Sequence, residues 1–379
     1  MPHTLASLKV LHICQRDDLA TGGAARVAVE YVKRLPNCGI DAHCLFLYGT
    51  PGVFARELSE RAHFLGLSSS REVHKFGRLL SFIHQFQPDI LHHHDGLFWS
   101  HLLTATFRGL PKVTHAHLGA SGNSLLFSRG GLAGWIQQQS TDLLVCITED
   151  TRKNQIKQGG YKPEKTHVLY NGVDGDRFYP ATPKERLYAR QQFGLPSDAF
   201  VIGFVGRLHC AMKGTDDFLK IISLLPSGFW GLVVGDGPDA QFLKQLAGSL
   251  GIEHRTIFTG VLEQTTSAYH AMDVFCLTSH QEPFGLVVAE AMACQVPVAG
   301  FACEGGVNEI LNPDTGKVLV KRDLEVMARM LDEAVHSPEH QQLQLSKALA
   351  LLERNHQWMS NTEKLAKLYQ SLNVPSFSL

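Results

Sequence analysis

Residues 200–214 read Phe200-Val-Ile-Gly-Phe-Val-Gly-Arg-Leu-His-Cys-Ala-Met-Lys-Gly214. An apolar run of strand length stops at a glycine-bounded turn carrying Arg207 and Lys213, a helix-period segment occupies 215–225, and a second apolar run follows at 229–234. Strand, turn, helix and strand in that order form one β-α-β unit of a parallel sheet. The rhythm continues with strands near 255–259, 273–277, 297–301 and 317–320, and with helices near 239–250, 285–294 and 323–335. Upstream it runs through strands near 9–14, 40–47, 89–94, 112–117, 143–147 and 166–170, with helical stretches such as 24–35 and 76–87 between them. Two such series predict an α/β protein with two Rossmann-like doubly wound domains. A chain of 379 residues, 44% of them hydrophobic, is long enough to bury two cores. Asp174 to Pro183, with Gly175, Pro180 and Pro183 and no apolar period, reads as the linker. Beyond Pro338 two more helical stretches run to about Asn373, with Trp358, Leu365 and Leu368 offering an apolar face.

Composition excludes several classes. A net charge of -1 gives no global basic field to attract nucleic acid. The eight cysteines, Cys14, Cys38, Cys146 and Cys294 among them, stand singly without C-x-x-C spacing, so reduced structural thiols in a cytoplasm are expected. A strand pattern begins at Lys9 without the charged and apolar regions of a secretory signal, and the apolar runs have strand length, so membrane contact is expected to be at most peripheral, at the inner face. Of 20 histidines only His92-His93-His94 cluster, and because strand neighbours point to opposite faces the run reads as a polar strand end and not as a metal site.

In doubly wound sheets ligands sit beyond the carboxyl ends of the strands, so the strand-to-helix turns carry the chemistry. Thr21-Gly22-Gly23-Ala24-Ala25-Arg26 opens a helix with small residues, either an ordinary flexible turn or a place where an anion approaches free N–H groups. Arg207 and Lys213 supply two cations suited to a diphosphate, with a solvated loop pair as the plain alternative. His280-Gln-Glu282-Pro-Phe-Gly285-Leu-Val-Val-Ala-Glu290 places one carboxylate before a helix and another inside it. A carboxylate in that apolar helix needs a partner, either a ribose diol or an internal one. Gly235-Asp-Gly237-Pro-Asp-Ala240 fits the dinucleotide fingerprint, but the next strand, Thr256-Ile-Phe-Thr259, lacks the terminal carboxylate that the fingerprint requires. Those glycines and Pro238 are expected to shape a tight turn and the helix's first position. His115 and His117 lie on one face of a strand end, His117 nearer its tip. Nucleophile-elbow, P-loop and H-E-x-x-H signatures are absent.

Taken together, these segments resemble the retaining GT-B glycosyltransferases of family 4, also called glycosyl transferases group 1. Asp89-Ile-Leu-His92, Asn171-Gly-Val-Asp174, Pro297-Val298 and Gly305-Gly306 complete the ordered set. The resemblance implies two facing domains with a cleft between them. The acceptor-side domain is expected at 1–175, with a C-terminal helix at about 355–379 crossing back to it, and the donor domain at 176–354. It further implies that Arg207 and Lys213 grip the donor diphosphate beside Gly206, and that Glu290 holds the donor ribose. Glu282 would face the sugar hydroxyls, the backbone of Phe284, Gly285 and Leu286 would contact sugar and phosphate, Gly23 would sit beside the phosphates, and His117 would touch the transferred sugar. No metal and no cofactor are expected beyond the nucleotide diphosphate sugar, with a saccharide, lipid-linked saccharide or small metabolite as acceptor. Competing readings are a GT-B sugar-nucleotide epimerase or phosphorylase and a non-catalytic sugar-nucleotide binding subunit. Gln295 departs from the pattern, standing where the family often has glycine, and is compatible with a turn of negative φ.

Overall fold

A computed structural model describes residues 7–18, 23–68, 77–94, 98–118, 131–334 and 338–372. The chain divides into two compact units, Met1–Asn171 with Trp358–Leu379, and Gly172–Gln357.

The first unit is built on a seven-stranded sheet of β1 (Leu8–Arg16), β2 (Ile40–Tyr48), β3 (Ala62–Leu67), β4 (Ile90–His93), β5 (Lys112–Ala116), β6 (Leu143–Cys146) and β7 (Thr166–Val168). Their order is β3-β2-β1-β4-β5-β6-β7, all parallel. The second unit holds β8 (Phe200–Val205), β9 (Phe229–Val234), β10 (Thr256–Gly260), β11 (Val274–Leu277), β12 (Val298–Phe301) and β13 (Lys317–Leu319), ordered β10-β9-β8-β11-β12-β13 and again parallel. Both sheets are covered by helices and so read as near-continuous apolar runs. Each reverses its winding once, between β1 and β4 and between β8 and β11. Such a switch point opens a crevice at the carboxyl ends of the strands.

β3 has no counterpart in the sequence reading. It is one of the sheet's two edge strands, and its Ala-His-Phe-Leu-Gly-Leu run is interrupted by a glycine at φ 71°. Of its six residues only Leu65 and Leu67 are buried, so its apolar pattern is weak. In the second unit Phe204, Phe218, Ile222, Val233, Leu243, Val274, Phe301 and Leu331 share one core. The last helix, Trp358–Gln370, belongs to the first unit. It packs on the helix Gly23–Arg34, where the Tyr31 and Trp358 rings meet edge-on at 5.3 Å, and Asn361 Nδ2 donates to the Tyr170 carbonyl at 2.9 Å.

Gln295 takes φ 56°, so the turn it occupies is left-handed and not of the negative φ that glutamine prefers. The cause is the end of the helix Leu286–Ala293. Val296 N–H donates to the Ala291 carbonyl and Gln295 N–H to that of Met292, the bond pair of a Schellman cap, which requires the left-handed region at the residue between. Gln295→Gly is therefore expected to stabilise the chain by about 0.5–1 kcal/mol, the relief of the side-chain penalty less the added freedom of the unfolded glycine. A urea midpoint that falls instead of rising would refute this.

Candidate active site

In the second unit the turns after β8 and β11 meet at the switch point. Gly214 takes φ 59°, and a Cβ there would lie 2.0 Å from the Thr278 carbonyl oxygen, so only glycine lets the β8 turn lie against the end of β11. Thr278 Oγ1 donates to the Lys213 carbonyl at 3.1 Å, and His280 N–H donates to that of Met212 at 2.9 Å. Lys213 Nζ is thereby placed 2.5 Å from Glu282 Oε2. Glu282 is buried, with Ser279 Oγ the other donor at 3.5 Å. Its backbone is clamped from below: Glu282 N–H donates to the Glu304 carbonyl, Val307 N–H donates to the Glu282 carbonyl, and a Cβ at Gly305 would meet that oxygen at 2.3 Å. Arg322 fixes the same loop, donating to the carbonyls of Thr278 and Ser279 and pairing with Asp217 at 2.8 Å.

Arg207 is exposed in the β8 turn; its carbonyl accepts from His209 N–H at 2.9 Å, and its side chain has no hydrogen bond or ion pair among the described residues. The β9 turn supports it. Gly235 and Gly237 approach so closely that added Cβ atoms would lie 1.9 Å from the Gly206 oxygen and 2.3 Å from the Leu208 oxygen. Asp239 accepts from Cys210 N–H at 2.7 Å. The G-x-G-x-x-A segment thus shapes the neighbouring turn. Its helix begins at Ala240, two residues beyond Pro238, which corrects the expectation that Pro238 holds the first helical position.

Gly285, at φ 87°, caps the helix Leu286–Ala293, and a Cβ there would press within 2.5 Å of Val307 Cγ2. Val288 and Ala289 N–H donate to the Gly285 carbonyl, and the N–H groups of Leu286 and Val287, with no carbonyl four residues back to take them, form a partial positive pole. Phe284 is buried, its ring edge-on to His356 at 5.5 Å. Glu290 is half-buried and accepts from the Tyr269 hydroxyl at 2.8 Å, so one of its oxygens has an internal partner that the sequence left open.

The first unit gathers a second constellation at its own switch point. β1 and β4 put His12 opposite His92, and His94, His115 and His117 follow on the same face at the ends of β4 and β5. His12 Nδ1 lies 2.8 Å from His94 Nε2, and His94 Nδ1 lies 3.1 Å from His117 Nε2. The His115 ring stacks on His117 at 4.5 Å and 11°. The Tyr369 hydroxyl, from the last helix, reaches His92 Nδ1 at 2.5 Å and His12 Nε2 at 3.4 Å. His93 points to the other face, toward Ser100 and Thr104. Burial holds these imidazoles neutral; His12 and His117 are each pushed down to about 3 by loss of solvent. Gly23 is the exposed first residue of its helix, while Thr21, Gly22 and Gly119 lie outside the described residues.

A family model described as "Glycosyl transferases group 1" matches residues 186–350, and one described as "Glycosyltransferase Family 4" matches residues 21–177. The crystal structure of Anabaena Alr3699/HepE in complex with UDP and glucose superposes with a TM-score of 0.83 at 22% identity, over 96% of this chain and 100% of that one. WaaG, a glycosyltransferase involved in lipopolysaccharide biosynthesis, gives 0.73 at 18% identity, over 96% and 100%. This chain has the GT-B fold and belongs to glycosyltransferase family 4. Among curated relatives, a D-inositol 3-phosphate glycosyltransferase of Xylanimonas cellulosilytica is 34% identical over 190 residues, 48% of this chain and 45% of the relative. The enzyme of that name from Corynebacterium diphtheriae is 26% identical over 313 residues, 76% and 71% of the two chains. The leading matches span about half the length of the curated relatives.

For a family 4 glycosyltransferase, the sequence-predicted residues fall into three local groups. Lys213 and Glu282 touch, Gly206 and Arg207 share the β8 turn with Lys213, and Phe284, Gly285, Leu286 and Glu290 share the next helix and its cap. His117 and Gly23 belong to the first unit. His12 and Tyr369 escaped the sequence reading. They lie 357 residues apart, and nothing local marks either as a neighbour of His117. Among the described residues no helix is long and apolar enough to cross a membrane.

Proposed function

We propose that this glycosyltransferase transfers a sugar with retention of configuration from a nucleotide diphosphate sugar to an acceptor hydroxyl, without a divalent metal at the diphosphate. The observation that carries the reading is the Lys213–Glu282 pair at 2.5 Å, set between the turns of the β8–β11 switch point, with Arg207 exposed in the same turn. In the donor-free chain the ammonium and carboxylate satisfy each other. A bound donor would insert between them, its phosphates taking Lys213 and its sugar hydroxyls taking Glu282. As the bond from sugar C1 to the leaving oxygen breaks, charge grows on the phosphate, and Lys213, Arg207 and the N–H groups above Gly285 are fixed donors for it. The acceptor hydroxyl then attacks on the leaving-group face and its proton passes to the departing phosphate oxygen, so no enzymic nucleophile is needed. Glu290, with Tyr269 beside it, would take the donor ribose, and His117, Gly23 and the backbone of Phe284 to Leu286 the remaining contacts. UDP in the Anabaena complexes makes a UDP-sugar the first donor to try.

Screening UDP-, GDP- and ADP-sugars by thermal shift tests the donor class, since a ligand at 100 times its Kd adds about 2.7 kcal/mol to stability. With the stabilising donor, transfer is expected to persist in excess EDTA and the product anomer to keep the donor's configuration by NMR. Loss of turnover in EDTA that metal restores, or an inverted anomer, would overturn the mechanism.

A further inference from the structure

We propose that His94, His115 and His117 form a binding site for a borderline transition-metal ion, Zn2+ foremost, at the carboxyl edge of the first unit's sheet. One ring nitrogen from each lies within 4.8 Å of the others. Both ring nitrogens of His115 are buried without a hydrogen-bond partner among the described residues, on a residue only 2% exposed. Buried polar atoms are seldom left unpaired, and an ion is one of the few things that satisfies an imidazole lone pair in a dry site. Three neutral imidazoles are a donor set that Zn2+, Cu2+ and Ni2+ accept and that Ca2+ and Mg2+ do not. Zinc takes imidazole nitrogen at about 2.0–2.1 Å, and three such ligands leave the fourth tetrahedral position to another group.

Atoms already placed behind the triad supply its support. For His94 to ligate through Nδ1, its proton must sit on Nε2, and there His12 Nδ1 waits 2.8 Å away as acceptor. His12 then carries its proton on Nε2, where it donates to the Tyr369 hydroxyl oxygen at 3.4 Å, and that hydroxyl donates to His92 Nδ1. A metal-bound histidine characteristically donates its other N–H to such a partner, which fixes tautomer and ring orientation. His117, freed of its bond to His94, turns Nε2 to the metal and keeps its proton on Nδ1. The ion claims the His117 ring that the proposed donor contacts give to the transferred sugar, so Zn2+ and sugar compete for it; otherwise the site lies within the first unit, apart from the leaving-group chemistry assigned to Lys213, and transfer that persists in EDTA is compatible with it.

The test is Zn2+ competition against a chromophoric chelator on the full chain, with electronic absorption of the Co2+-loaded wild type. One tight Zn2+ per chain is expected, together with the intense visible bands of four- or five-coordinate Co2+. His94→Ala and His115→Ala should weaken binding well beyond the factor of about 10–100 expected for His12→Gln behind them. His43→Ala should leave it unchanged, although His43 Nδ1 and His63 Nε2 form another imidazole pair at 3.0 Å in the same unit. Absence of saturable Zn2+ binding, affinity that survives the His94 and His115 substitutions, or loss with His43→Ala would overturn the proposal. Should the buried variants fail to fold, the wild-type spectrum decides: the pale bands of six-coordinate Co2+ reject the triad.

Discussion

Lys213→Ala is expected to lower kcat by about 10²- to 10³-fold, roughly 3–4 kcal/mol of transition-state stabilisation, while donor affinity falls far less. The ground-state diphosphate keeps Arg207 and backbone N–H groups, whereas charge growing on the leaving oxygen loses its nearest fixed cation. The Glu282 contact adds a second effect. Removing Lys213 strands a carboxylate that is 8% exposed, with Ser279 at 3.5 Å its remaining side-chain donor among the described residues. A stability loss of about 2–3 kcal/mol should therefore accompany the kinetic one, below the roughly 3–5 kcal/mol for breaking a fully buried pair because both side chains keep some solvent. Adding Glu282→Gln removes the stranded charge, so the double variant should recover much of the stability and none of the turnover. Glu282→Gln alone should change sugar selectivity more than overall rate. Steady-state kinetics, calorimetric donor affinity and urea unfolding of the three variants separate these effects. Near wild-type turnover in Lys213→Ala would make Lys213 a solvated loop charge.

Asp273→Ala is expected to cost about 3–4 kcal/mol in unfolding free energy, the largest stability loss foreseen for any single polar substitution here. Asp273 stands at the entry to β11, where Oδ1 receives Arg186 at 2.5 Å and Oδ2 receives Arg190 at 2.6 Å and the Val201 N–H at 2.7 Å. Arg190 is nearly buried, with 8% of its side chain exposed, so loss of the carboxylate leaves an uncompensated guanidinium beside the first residues of β8. Because β8 and β11 border the switch point, nucleotide binding should weaken as well. A urea unfolding curve displaced by less than about 1 kcal/mol would reduce the pair to an ordinary surface bridge.

Much of the architecture was legible before any coordinates. Every strand but β3 sits within a few residues of its apolar run, because a strand buried on both faces needs apolar side chains at each position. The glycines of the turns were legible too, although not their reasons: Gly214 and Gly285 combine positive φ with a neighbour closer than any Cβ allows. The G-x-G-x-x-A segment shows the limit of motif reading, since its glycines make room for the Gly206 and Leu208 carbonyls. Gln295 breaks a local preference because the Schellman bonds of the preceding helix outweigh it.

Local periodicity carries two parallel α/β units, their turns, and which residue types end the strands. It leaves open which strand ends meet. Sheet order sets β4 beside β1 and β11 beside β8, so partners 82 residues apart, His12 and His94, or 69 apart, Lys213 and Glu282, come within hydrogen-bonding reach. No local pattern encodes that adjacency, because it arises from how the crossovers wind. Burial then does the chemistry, keeping the clustered imidazoles neutral and joining Lys213 to a carboxylate that has almost no solvent to turn to.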